Sequence, residues 1–91
     1  MGTADDGILR CASGTPVPDL GSAIAHAVYD RGEVTVRAIG NGAIGQCMKA
    51  VCAARGYAAP KGLNLASIPG FVDIDIRGET VTGMNIRVIP I

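Results

Sequence analysis

Apolar and polar positions along the chain fall into six segments of regular spacing, and each segment marks an element. "ILRCAS", residues 8–13, alternates and reads as a first strand. "GTPVP" follows as a loop with turn chemistry. Leu20, Ile24, Ala27 and Val28 then fall on one helical face, with Asp19 placed to cap the helix and Gly32 to end it. "EVTVRAIG" is a second strand. Ile44, Cys47, Met48 and Val51 form the apolar stripe of a second helix that Gly56 stops. After the turn "AAPKG", the run "LNLASIPGFVDIDI" is a third strand, interrupted at Pro69-Gly70. "RGE" turns into the last strand, "TVTGMNIRVIPI".

This β-α-β-α-β-β order restricts the topology. Strands one and two make a parallel βαβ unit with a right-handed crossover. Strands three and four make an antiparallel hairpin through Gly78. Pro69 places strand three at an edge, where a missing N–H costs little. The strand order is then 1-2-4-3. Both right-handed crossovers put their helices on the same face, giving a two-layer α+β sandwich with a mixed four-stranded sheet. Alternation directs Leu9, Val34, Val36, Val72, Ile74, Ile76, Met84, Ile86 and Val88 toward the helices. The open face then holds Arg10, Ala12, Thr35, Arg37, Ile39, Asp73, Asp75, Asn85, Arg87 and Ile89. Asp73 and Asp75, about 7 Å apart on one strand face, are expected to pair across the sheet with Arg37 and Arg87. The second helix also has a smooth side of Gly45, Ala50 and Ala53 that a partner helix could approach closely.

Length and charge then narrow the function classes. With 91 residues the chain holds one domain, expected over residues 8–91 behind a flexible tail over 1–7. Eight basic residues balance eight acidic ones. Setting aside Asp5 and Asp6 in the tail leaves eight against six, far from the excess of a strongly basic nucleic-acid binder. The N-terminus has no basic segment or apolar run of a signal peptide, and no stretch of about 18 apolar residues spans a membrane. Three cysteines, an odd number without metal-ligand spacing, suit a reducing cytoplasm.

Chemistry concentrates in "AIGNGAIGQ", residues 38–46, where Gly40, Gly42 and Gly45 are spaced G-x-G-x-x-G between a strand and a helix. A dinucleotide fingerprint would add an acidic residue about 20 positions on. No Asp or Glu occurs between Glu33 and Asp73, so that reading fails. Two readings stay open. The glycines either seat a phosphate on the unpaired N–H groups of a helix N-terminus, or they provide positive φ and close packing. Elsewhere the residues are plainer. His26 lies opposite the apolar face and is solvated. Cys47 and Cys52 point in different directions and read as small core or interface residues. Ser13 and Thr15 lack a base, so no catalysis is expected and no cofactor or metal site is nominated. Phe71, Tyr29 and Tyr57 are too few for a base-stacking platform.

"VRAIGNGAIGQCMKAVCAARGY" followed by "IPGFVDIDIRGE" resembles the stage V sporulation protein S family, from about Leu9 to the C-terminus. The resemblance implies an Alba-like fold, in agreement with the derived order, and a small DNA- or RNA-binding regulatory protein that forms a homodimer or a higher homo-oligomer. Alba proteins carry arginines in the turn that is Gly40-Asn41-Gly42 here, and a long basic final hairpin where this chain has only "IRGET". The expected phosphate contacts are therefore Gly40, Asn41, Gly42 and Lys49, joined by Arg37 and Lys61. The alternative is a homo-oligomeric assembly module without a nucleic-acid partner, which the balanced charge favours.

Overall fold

The computed structural model describes residues 6–91. Residues 1–5, most of the expected tail, lie outside the described residues. Asp6 accepts the Ile8 N–H at 3.0 Å and pairs with Arg10 at 3.0 Å. The Arg10 guanidinium, followed by that backbone donor, holds the Asp6 carboxyl down at about 2.

The elements are β1 (Leu9–Cys11), α1 (Val17–Arg31), β2 (Val34–Ala38), α2 (Asn41–Ala58), β3 (Leu65–Ile76) and β4 (Glu79–Pro90), with a 3-10 turn over Ala59–Lys61 after α2. The sheet order is β1-β2-β4-β3, with β1 parallel to β2 and the other pairs antiparallel. This is the expected α+β sandwich, and β3 is an edge strand as Pro69 requires. The core is formed by Leu20, Ile24 and Val28 of α1, Val34 and Val36 of β2, Ile86 and Val88 of β4, and a row of small α2 residues.

Several local expectations are corrected. Helix α1 begins at Val17, with Pro16 as the N-cap and Pro18 in the first turn, where its missing N–H loses nothing. Asp19 therefore sits in the first turn rather than capping it. Helix α2 does not stop at Gly56 but continues to Ala58. Its buried stripe is Ala43, Cys47, Ala50, Val51, Ala54 and Ala58, so Met48, expected in the core, is 40% exposed. The cause is α1. A Cβ at Gly21 would lie 2.8 Å from Ala53 Cβ and 3.1 Å from the Ala50 carbonyl, so the helices meet through their smallest residues. That contact rotates α2 toward its alanines. It also places Ala50 and Ala53, expected on a side open to a partner helix, against α1 of the same chain.

Strand β3 is continuous through Pro69-Gly70, and this reverses a face. Residues paired across a sheet point to the same side. Ile86 and Met84 face the helices, so their partners Pro69 and Phe71 do too. Without a break, parity carries Asp73 and Asp75 to that side and Val72, Ile74 and Ile76 to the open one. The aspartates do not pair with Arg37 and Arg87. Asp73 accepts from the Thr82 hydroxyl at 3.1 Å and Asp75 from that of Thr80 at 3.4 Å. Arg37 Nε donates to Asn85 Oδ1 at 3.0 Å, and Arg87 Nε to Glu33 at 2.8 Å.

Strand β4 pairs with β2 only over Met84–Val88. Beyond that, Val72–Ile76 and Glu79–Gly83 form a two-stranded arm about 17 Å long, closed by Arg77 and Gly78, both at positive φ. The hairpin is thus longer than its tip sequence suggests, and the molecule extends to 44 Å in one direction against 22 and 20 Å in the others. The arm is not basic: it carries Asp73, Asp75 and Glu79 against Arg77.

Candidate nucleic-acid interface

The chain leaves β2 at Ala38 and enters α2 through Ile39 and Gly40. Gly40 has φ 87°, a left-handed value that other residues resist, and it is the helix N-cap. The Ile44 N–H reaches the Gly40 carbonyl at 3.0 Å, which opens the helical ladder. The N–H groups of Asn41, Gly42 and Ala43 precede that ladder and have no intrahelical acceptor. No side chain caps them, and the first turn contains no acid. The positive end of the helix dipole is therefore uncompensated.

Gly42 has a packing role. A Cβ there would stand 3.1 Å from Ser13 Cβ, so glycine lets the β1–α1 loop close over the start of α2. Gln46 ties the same loop by donating to the Thr15 carbonyl at 2.8 Å. Thr15 Oγ1 accepts the Ala12 N–H at 2.9 Å and so shapes the loop. A Cβ at Gly45, in contrast, would meet nothing within 4 Å.

The exposed side of α2 carries Asn41, Gly45, Met48, Lys49, Cys52, Arg55 and Gly56. Steps of three and four residues keep them on one ridge along the helix. Lys49 lies about 12 Å along the axis from the N-terminus and Arg55 about 9 Å further. Arg55 donates to Asn64 Oδ1 at 3.3 Å but has no carboxylate within 4.0 Å among the described residues. The whole stretch from Val34 to Val72 contains no Asp or Glu, so this ridge is cationic without opposition from its own element. The described acids lie elsewhere: Asp6 before β1, Asp19 and Asp30 on α1, Glu33 before β2, and three on the arm.

The expected contact residues do not all meet. Gly40, Asn41, Gly42 and Lys49 share the first half of α2. Arg37 points to the opposite side of the sheet, between the buried Val36 and Ala38. Lys61 stands beyond the far end of α2, about 27 Å from its start, with Nζ 4.1 Å from the centroid of the Tyr29 ring. Arg55 was missed. Its place fourteen residues after Asn41 carried the signal, once helix period was combined with the absence of acids.

The remaining reactive groups are inert or solvated. Burial pushes the Cys47 thiol up to about 12, and the neighbouring Cys11 adds to this. Burial likewise raises Cys11, whose Sγ lies 3.5 Å from the Ala43 carbonyl. Cys52 is exposed. His26 is exposed beside Asp30 at 3.6 Å. Among the described residues no three His, Cys, Asp or Glu side chains converge as metal ligands, and no helix is long and apolar enough to cross a membrane.

Residues 7–91 match the model of a protein family described as Stage V sporulation protein S (SpoVS).

Proposed function

The chain belongs to the stage V sporulation protein S family, a family of small sporulation-related regulatory proteins, and from that premise we propose that it binds nucleic acid through the exposed ridge of α2. The observation that carries this reading is the uncapped helix start at Gly40-Asn41-Gly42 in line with Lys49 and Arg55, on a stretch with no acidic residue. Phosphate oxygens accept from helix N-terminal N–H groups and from exposed cations, and neither contact reads a base. Gly45 and Gly56 leave the ridge low, so a nucleic-acid backbone can approach the helix closely.

Binding of this kind is weak per copy, because two cations and one helix terminus neutralise only a few phosphates. A second copy would double the cationic surface and raise avidity without any new chemistry. Titration of duplex DNA and of structured RNA at two salt concentrations tests the reading. Affinity that falls steeply with salt supports it, and no binding to either at low salt sinks it.

A second reading has its own observation. The open face of sheet and arm exposes Ile39 (39%), Ile68 (45%) and Ile76 (42%), beside the half-buried Val72 and Ile74. Exposed apolar side chains of this sort suit self-assembly. It supports a homo-oligomer whether or not nucleic acid is the partner.

A further inference from the structure

A cleft of about 920 Å³ opens where the arm overhangs the carboxyl ends of β1 and β2. That volume lies within the range of small-molecule sites. Its apolar lining is Ile74 and Ile76 from the arm and Ile39 from the connection into α2. Arg10, Arg37 and Ser13 line it too, with Gly42 and Ala43 at the start of α2.

The two arginines differ. Arg10 is engaged, with Asp6 at 3.0 Å and the Ile8 carbonyl at 3.0 Å. Arg37 is half-buried and gives only its Nε, to Asn85 Oδ1 at 3.0 Å. Its two terminal nitrogens have no acceptor among the described residues, and no described carboxylate comes within 4.0 Å of it. Asp75 also lines the cleft and accepts from the Thr80 hydroxyl at 3.4 Å. With Asp6 offsetting Arg10 and Asp75 nearby, the site disfavours a polyanion. One guanidinium with unengaged terminal nitrogens, in a cleft that three isoleucines also line, fits a single planar anionic head with an apolar body.

We propose that this cleft binds a small amphipathic organic monoanion, its carboxylate or sulfonate on Arg37 and its apolar body against Ile39, Ile74 and Ile76. The cleft reaches Gly42 and Ala43 at the start of α2 and so adjoins the proposed phosphate seat, but the proposal does not rest on the nucleic-acid reading. Such a ligand would touch both the arm and the body of the sheet, and so fix one against the other.

The test uses the full chain with 8-anilinonaphthalene-1-sulfonate as the probe, followed by fluorescence, with decanoate and inorganic phosphate as competitors. One probe per chain is expected, displaced by decanoate and not by phosphate at equal concentration. Arg37→Gln should weaken the probe about tenfold or more, since it removes a charge-assisted hydrogen bond. Ile76→Ser, at an exposed arm position that folding does not require, should weaken it by a similar factor. Both variants should keep the parent's thermal unfolding. No probe binding, or probe affinity unchanged in both variants, would overturn the proposal. So would displacement by phosphate as effective as by decanoate.

Discussion

At the scale of single residues, the glycine-rich turn separates into three roles. Gly40 holds a left-handed φ, Gly42 makes room for Ser13, and Gly45 faces open space. The first two answer to folding, which the residue spacing alone left undecided between packing and phosphate binding. The sequence could not settle it because both uses need the same missing Cβ. Asn41 is the informative position, exposed at the first residue of α2 and free of packing. Asn41→Asp places a negative charge at the dipole's positive end and is expected to stabilise the fold by about 0.3–1 kcal/mol. The same charge would repel a phosphate there, so nucleic-acid affinity should fall while the melting temperature rises. A variant that melts higher and binds as the parent does would remove the helix start from the interface.

Among the elements, order and handedness were legible, because the right-handed crossover and Pro69 admit little else. Rotation and parity were not. The stripe Ile44, Cys47, Met48, Val51 favours the larger side chains. The true stripe runs through alanines, because Gly21 draws α1 onto Ala50 and Ala53. In β3 the alternation of Val72, Asp73, Ile74, Asp75 and Ile76 shows that one side is apolar. It does not say that the helices end before this segment, leaving the apolar side on the open face. Arg37 was legible as a candidate from its strand, whereas Arg55 needed helix period combined with the acid-free stretch from Val34 to Val72. The corrected stripe has a thermodynamic consequence. Met48→Ala, at a position 40% exposed, should cost less than about 1 kcal/mol. Ile24→Ala, in a fully buried site, should cost about 2–5 kcal/mol. Urea unfolding of the two variants checks this, and equal costs would put Met48 back in the core.

For the whole molecule, zero net charge conceals a segregation. α2 and the turn after it carry Lys49, Arg55 and Lys61 without an acid, while the arm holds three acids and one arginine. A neutral average therefore does not argue against a local phosphate track. The arm's apolar open side is the other whole-molecule feature, since a single copy leaves it facing water. Sedimentation at micromolar concentration should show a species of at least twice 9.2 kDa, and Val72→Asp, on the arm's open side outside the cleft, should reduce it to one copy. A parent that sediments as 9.2 kDa alone would contradict self-association. The nucleic-acid reading meets its most direct test in the salt dependence of binding. The parent should bind duplex DNA or structured RNA at low salt, with log affinity falling linearly in log salt. Lys49→Ala/Arg55→Ala should flatten that slope by about two units, close to one for each phosphate no longer neutralised. A slope unchanged in the double variant would move the interface off α2, and a parent that binds neither nucleic acid at low salt would contradict the account.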